Sequence, residues 1–425
     1  MVSLETIKSE AKSILKSGII KHDVSLDDYL DPKHRSRLNA YLEKILVRLA
    51  EKNRLHIGHD ELKKIEDEII NAVFGFGIIE DLLQDPEVTD ILVNNPDQIY
   101  VEKNGKLEKI DLKFEDEEGI FYLIQRMLQG SGRRLDMSSP FADFRVKDGM
   151  RVTAVISPVS AASPFFCIRK ACKEILSLED LRRMGTLNQK LLDFLKFCVK
   201  ARLNILVAGS TGVGKTTLMH LLINELVPKD ERIILVEDTE EILTQEAQHV
   251  IRLITKSPNI EGKGEITLRD LVKLSLHLRP DRIVIGEVRG EEAFHFLHII
   301  NTGHEGSMCT IHASNPEDAL NRLEVLSLMD RTNITPGVIR RFLKLGIDLI
   351  VQMIRLPTGQ RIVSQVSEFD YEGDACVTKD IFSLKKSFKD GNEMLDIKFT
   401  GYIPSFMEKL KARTEIPADF FGVES

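Results

Sequence analysis

Nowhere in this sequence do apolar residues run long enough to cross a membrane. The most apolar late stretch, LGIDLIVQMIRL, is well short of the roughly 20 residues a spanning helix needs and carries Asp348. The N-terminal MVSLETIKSEAKSILKSG is charged throughout and has no signal-peptide core. Any membrane contact is therefore expected to be peripheral or through a partner. Cysteine pairs are missing too. Cys167, Cys172, Cys198, Cys309 and Cys376 are scattered, with no C-x-x-C spacing, so neither a zinc ribbon nor a disulfide framework is expected. Reduced thiols in a cytoplasmic protein fit best. An excess of positive charge is also absent. The net charge of −8 argues against a general nucleic-acid binder while leaving room for a local basic patch. No repeat and no low-complexity tract is found.

What is present divides by periodicity. Residues 1–80 read as helical, with Leu38, Tyr41, Leu42, Ile45, Leu46 and Leu49 sharing one face of a helix. Over 81–172 the period shortens. VTDILVNNPDQIYVEKNGKLEKIDL reads as strands and turns, EGIFYLIQRMLQG as a helix, and FADFRVKDGMRVTAVIS as a hairpin turning at Lys147-Asp148-Gly149. FFCIRK closes a small α+β domain, and 173–186 reads as a linker. From 187 to 425, helices alternate with the apolar runs LNILVAG, RIILVED, HVIRLIT, DRIVIGE and GSMCTIH. That alternation predicts an α/β domain with a parallel sheet and ligands at the strand C-terminal ends. DLIVQMIRL and QRIVSQVSEFD suggest a late antiparallel pair, followed by a helical and then irregular tail.

The most informative stretch is GSTGVGKT, residues 209–216, a complete G-x-x-x-x-G-K-[ST] phosphate loop. Gly209, Gly212 and Gly214 let the backbone wrap closely round a polyphosphate, across Ser210, Thr211 and Val213. Lys215 reaches the β- and γ-phosphates, and the Thr216 hydroxyl ligands Mg²⁺. An apolar strand precedes the loop, and a helix beginning near Thr217 follows it, so phosphate would sit at a helix N-terminus. A nucleoside triphosphate is expected here.

Three other runs carry chemistry. DRIVIGEVRG places Glu287 just past a buried strand, where a carboxylate can polarise an attacking water or hold Mg²⁺ through water. An ordinary Walker B strand would end in Asp; here that position is Gly286. RIILVEDTEE ends in acids, among which Glu237 is the better candidate for metal-water contact; a plain acidic helix start is the alternative. TGHEGSMCTIHASNP carries His304 and His312 around a short strand. His312 could bond or sense a γ-phosphate, and His304 could order a neighbouring loop. A zinc site would need a third ligand, and none presents itself. Phosphoryl transfer also needs positive charge outside the loop. Arg279 and Arg289 flank the Glu287 strand, and Arg145, Arg151 and Arg169 lie on strands of the smaller domain. Each singly reads as a surface residue; as a group they are candidate fingers for a nucleotide.

In this order, the phosphate loop, EDTEEI, RPDRIVIGEVRG and TGHEGSMCTIHASNP resemble the secretion ATPase superfamily of type II and type IV secretion, type IV pili and the archaeal flagellum. FGFGIIEDLLQDPEVTDILVNNPDQIYVEKNGKLEKI, GRRLDMSSPFADFRVKDGMRV and IEGKGEITLRDLVKLSLHLRPDRIVIGEVRG look most like the CpaF-type ATPases of tight-adherence (Tad/Flp) pilus assembly. The resemblance covers about 70–425. It implies a RecA-like ATPase domain preceded by a PAS-like α+β domain and an N-terminal helical segment. It further implies ATP and Mg²⁺ as cofactors, a homo-hexameric ring, and an inner-membrane platform protein as partner; from the charge balance, no nucleic acid is expected as a partner. In family terms Glu237 belongs to the Asp box, Glu287 is the catalytic glutamate, and His304 and His312 form the His box. Arg145, Arg151 and Arg169 match arginines that approach the phosphates. Type II secretion ATPases carry a tetracysteine zinc module that this sequence lacks, and Thr239 and Glu240 stand where the Tad branch more usually has small residues. Type IV secretion of DNA or protein is the alternative role, and an ATP-dependent assembly switch with little turnover is another.

Overall fold

The computed structural model describes residues 7–8, 10–11, 14 and 32–422, apart from 54, 56, 74, 104, 130, 132, 147–148, 171–176, 240–248, 257, 259–262, 331–333, 390–391 and 418. The expected turn residues Lys147 and Asp148, the acids Glu240 and Glu241, and part of the linker lie outside the described residues. The chain divides into two compact units, Met1–Glu174 and Ile175–Ser425.

The first unit opens with helices α1 (Pro32–Lys52) and α2 (His59–Val73), then the short α3 (Glu80–Gln84). Strands β1 (Val88–Asn95), β2 (Gln98–Lys103) and β3 (Lys106–Ile110) follow, then α4 (Glu117–Leu128), β4 (Phe141–Arg145), β5 (Arg151–Val155) and β6 (Phe165–Arg169). The six strands form one sheet in the order β3-β2-β1-β6-β5-β4, each pair antiparallel. Leu42, Ile45, Leu46 and Leu49 of α1 are buried in the same core as Ile91, Val93, Phe166 and Ile168 of the sheet. The helices are thus continuous with the α+β domain and not a separate bundle. Tyr41, expected on the buried face, is half exposed. Its hydroxyl is better solvated at the edge of the apolar stripe.

The second unit begins with α5 (Leu178–Arg183), inside the stretch expected to be a linker. Ser177 and Asp180 form a capping box at its start, and Leu178 and Leu181 are buried in the second unit's core. The connection therefore ends earlier than the composition suggested. Next come α6 (Gln189–Lys200), β7 (Ile205–Gly209), α7 (Lys215–Leu226), β8 (Ile233–Glu237), β9 (Val250–Ile254) and α8 (Leu268–Ser275). The chain continues through β10 (Arg282–Ile285), α9 (Glu292–Ile300), β11 (Met308–Ile311), α10 (Pro316–Leu328) and α11 (Pro336–Gly346). It closes with β12 (Leu349–Arg355), β13 (Arg361–Glu372), β14 (Ala375–Lys389), β15 (Asn392–Phe399) and α12 (Met407–Arg413).

These strands form one nine-stranded sheet, β15-β14-β13-β12-β7-β11-β10-β8-β9. β12, β7, β11, β10, β8 and β9 run parallel, and β13 to β15 extend the sheet as an antiparallel meander. The late strand pair read from sequence is thus half of a four-strand edge. The parallel strands are apolar throughout because both faces are covered. Ile205, Val207, Leu349, Val351 and Met353 face α6 and α7. Leu206, Ala208, Cys309, Ile311 and Ile350 face α8 to α11. The strand period of two sorts each side chain to its layer.

Parallel pairing also sorts the loops. Residues just before β7, β8, β10 and β11 lie at one edge of the sheet, and residues just after them lie at the other. This division positions the site.

Candidate functional site

β7 delivers the phosphate loop to the C-terminal edge between β12 and β11. Gly209 allows a close approach. A β-carbon there would stand 2.5 Å from the Met353 carbonyl oxygen and 2.7 Å from Val213 Cγ2. Val213 is buried and anchors the loop, while Ser210, Thr211 and Gly212 are exposed. Gly214 is the N-cap of α7 at φ +95°, and no side chain caps the helix there. The first turn, from Lys215 through Thr216 and Thr217, therefore presents its amides toward a ligand rather than toward a capping residue.

Lys215 is almost fully buried. Its Nζ donates to the carbonyls of Gly209 and Ser210, both at 2.9 Å, and lies 3.3 Å from His312 Nδ1. His312 follows β11. Its other nitrogen, Nε2, lies 2.7 Å from Glu287 Oε1, close but outside hydrogen-bond alignment. Glu287 Oε2 accepts from Arg289 at 2.7 Å. Lysine, histidine, glutamate and arginine thus form one chain along the strand ends. Burial and the nearby Lys215 ammonium push the His312 pKa below the usual histidine value, against the opposing pull of Glu287. The neutral ring is the favoured form, as suits a group wedged between a cation and a carboxylate.

Glu237 ends β8 and is 2 % exposed. It explains the missing Walker B aspartate. A β-carbon at Gly286 would stand 3.1 Å from Glu237 Cγ and 3.5 Å from its Oε1. An acid side chain at 286 would collide with the acid already supplied by the neighbouring strand. Thr310 Oγ1 donates to the Gly286 carbonyl at 2.6 Å and fixes the turn that carries Glu287. Neither Thr310 nor this contact was visible in the linear motif.

Two candidates lie elsewhere. His304 precedes β11 and Arg279 precedes β10, so both sit at the edge of the sheet opposite the phosphate loop. This corrects the expectation that they join the nucleotide residues of the same unit: each was close to the motif in sequence but on the far side of a strand. Arg279 is exposed at φ +54°. His304 Nδ1 is a buried atom with no hydrogen-bond partner among the described residues. The same edge holds Arg282, fully buried at the start of β10, which was missed. Its guanidinium reaches Glu231 Oε2 (2.5 Å), the Val199 carbonyl (2.9 Å) and the Gly306 carbonyl (3.4 Å). The apolar run after it masked its partners, which come from distant loops.

In the first unit, the three arginines form a row. Arg145 is in register with Arg151, Arg151 with Arg169, and Arg169 with Asp90. Asp143 engages Arg151 at 2.5 Å and Asp90 engages Arg169 at 3.0 Å. Like charges directly opposite across strands are unfavourable. Among the described residues, Asp143 and Asp90 are the carboxylates that engage the row.

Among the described residues, no group of three or more His, Cys, Asp or Glu side chains is placed to hold a metal ion. Magnesium brought in with a nucleotide fits such a site, since it keeps several waters and takes few protein ligands. Thr216 would hold it directly and Glu237 through water. No helix among the described residues is long and apolar enough to cross a membrane.

A phosphate loop on the central strand of a parallel-cored sheet, faced by a strand-end glutamate and histidine, is the architecture of a nucleotide-using α/β protein. The chain belongs to the type II/IV secretion system protein family, whose model matches residues 73–387. A putative conjugal transfer protein of Mycobacterium tuberculosis is 34% identical over 299 residues, spanning 69% of this chain and 84% of that protein. VirB11 of Agrobacterium fabrum is 32% identical over 290 residues, spanning 59% of this chain and 82% of that protein. The X-ray structure of the Yersinia pseudotuberculosis ATPase DotB shares the fold at 18% identity and a TM-score of 0.50, over 68% of this chain and 76% of that one.

Proposed function

We propose that the protein is an ATPase motor of a pilus or secretion machine, with Glu287 as its general base. The observation that carries this reading is the chain Lys215–His312–Glu287, in which 3.3 Å and 2.7 Å contacts link the phosphate loop to the strand-end carboxylate. Lys215 donates to its own loop carbonyls, and Glu287 lies against His312 and accepts from Arg289. A bound triphosphate offers Lys215 stronger, charged acceptors. Lys215 then leaves the loop carbonyls for the phosphate oxygens, while His312 holds Glu287 at the strand end facing the γ-phosphate.

In the reaction, a water oxygen attacks the γ-phosphorus and the bond to the bridging oxygen of the ADP leaving group breaks. The proton of the water passes to the Glu287 carboxylate and then to the released phosphate. Magnesium, when bound with the nucleotide, neutralises phosphate charge. His312 orients Glu287, and Arg289 steadies it. The row Arg145, Arg151 and Arg169 is a further candidate for binding phosphate charge.

The subunits form a hexameric ring on the cytoplasmic side of the inner membrane, held there by a platform protein. Two roles stay in play for the ring. Tad/Flp-type pilus assembly, with retraction as an added option, is favoured by the motif resemblance; transfer of DNA or protein is favoured by the likeness to a conjugal transfer protein and VirB11. Loss of surface pili against loss of substrate transfer in a Lys215→Ala cell separates the two. For the chemistry, Glu287→Gln should lower ATP turnover about 10²- to 10⁴-fold with nucleotide affinity kept. Turnover at the wild-type rate would remove Glu287 from the reaction, and normal nucleotide binding by Lys215→Ala would remove the phosphate loop.

A further inference from the structure

β12 is apolar and buried from Leu349 to Met353, with one exception. Gln352 is 2 % exposed and lies in the middle of the nine-stranded sheet. Strand alternation puts its side chain on the layer of Ile350, Ala208 and Ile311. There its Nε2 donates to the Ala313 carbonyl at 3.2 Å, while its Oε1 is buried with no hydrogen-bond partner among the described residues. An apolar side chain of the same length would remove the unpaired Oε1, but it would orphan the Ala313 carbonyl in its place. The amide is thus half satisfied, and a buried polar group with one atom unpaired calls for an explanation.

Its surroundings supply one. The ladder between β12 and β13 breaks register between Gln352 and Met353, and Ser364 donates to the Gln352 carbonyl at 3.3 Å. Such bulges re-aim side chains beside functional sites. On one side of the break, the Met353 carbonyl oxygen occupies the space that a Gly209 side chain would need. On the other, Gln352 grips Ala313, the residue after His312. Ala313 in turn approaches Gly209, its N–H lying 3.4 Å from the carbonyl that also receives Lys215.

We propose that Gln352 is a positioning residue, clamping Ala313 so that His312 keeps its place between Lys215 and Glu287 while the phosphate loop changes partners. When Lys215 exchanges the Gly209 carbonyl for phosphate oxygens, the loop loses its charged tie to itself. The Gln352–Ala313 contact does not depend on Lys215 and survives the exchange. This inference rests on the ATPase reading above.

The test compares full-length wild type, Gln352→Met and Lys215→Ala in steady-state ATP turnover and in nucleotide binding, across pH. Gln352→Met should melt close to wild type, since it trades an unpaired Oε1 for an unpaired Ala313 carbonyl, bind ATP with unchanged affinity and lose about tenfold in kcat, the scale expected when a catalytic group drifts by a fraction of an ångström. The acid limb of its kcat profile should also move up toward the ordinary histidine value, because His312 is no longer held against Lys215. A purely structural Gln352 would leave that limb in place. Wild-type kcat and an unmoved acid limb in Gln352→Met would overturn the proposal and leave the ATPase reading standing. Absence of turnover in wild type, equal to Lys215→Ala, would overturn both. If the methionine variant does not fold, Gln352→Asn keeps the amide but is too short to reach Ala313, and the same kcat and pH shift decide.

Discussion

Replacing Arg282 with methionine should destabilise the second unit while leaving the first untouched. The methionine fills most of the guanidinium's volume but donates nothing. Glu231, only 12 % exposed, then loses its 2.5 Å partner, and the Val199 and Gly306 carbonyls lose their donors. Breaking a buried ion pair from one side costs about 3–5 kcal/mol. Here Glu231 retains Arg202 at 3.0 Å, which places the loss near the lower bound. Orphaning the well-formed Val199 contact adds about 1 kcal/mol, whereas the 3.4 Å Gly306 contact adds little. A total of about 3–4 kcal/mol lowers the melting midpoint of a unit this size by roughly 6–16 °C. Arg282→Lys keeps the charge but cannot span all three acceptors, so about half the loss is expected. Hydrogen exchange in β10, with β2 of the first unit as internal reference, reads the effect locally. The wild-type contribution should also fade in acid. Burial raises the Glu231 pKa, but Arg282 and Arg202 outweigh it and hold it below the usual glutamate range. The stabilisation is therefore complete above the unfolded glutamate pKa and is lost as pH falls through the depressed folded value. A midpoint shift under 2 °C, or one equal in both units, would refute the assignment of Arg282 as a buried tie.

Other outcomes follow from the same geometry. Gly286→Ala should push Glu237 aside by a few tenths of an ångström and weaken Mg²⁺ binding during turnover, measured as a several-fold rise in the half-saturating metal concentration. Gly209→Ala meets a backbone carbonyl at 2.5 Å and should abolish nucleotide binding by calorimetry, with misfolding of the loop visible by exchange. Folding stability contributed by neutral His312 should fall below about pH 6.5, since its folded pKa is depressed and the unfolded chain takes up the proton first; His312→Ala should remove that dependence from urea titrations. Arg151→Ala removes the 2.5 Å partner of Asp143 at a half-exposed site and should lower the melting midpoint only slightly, by calorimetry.

The sequence carried the phosphate loop because all its parts are local. A strand, three glycines, a lysine and a helix lie within one short run, and each residue type has one job. It also carried the alternation of helices and strands in the second unit, because parallel strands buried on both faces are apolar end to end. What escaped it was lateral. Glu237 fills the space left by Gly286 only because β8 and β10 are neighbours in the sheet, though almost fifty positions apart in the chain. Gln352 reads as a polar interruption in an apolar run until the sheet order brings it beside Ala313. The partition of His304 from His312 is likewise a matter of strand direction, which the TGHEGSMCTIH run does not display. Residues 178–183 read as linker because their charges dominate the composition, while two leucines at helical spacing decide their packing.

β11 carries a histidine before its first residue and another after its last, and this has a use in spectroscopy. The strand is four residues long, about 13 Å at 3.3 Å per residue, and is hydrogen-bonded to β7 and β10. The resonances of His304 and His312 therefore sample the two edges of one sheet through a single stiff element. Nucleotide at the phosphate loop shifts His312 directly and reaches His304 only if the strand itself moves. Isotope labelling of histidine alone would thus separate ligand occupancy from strand displacement in the same spectrum.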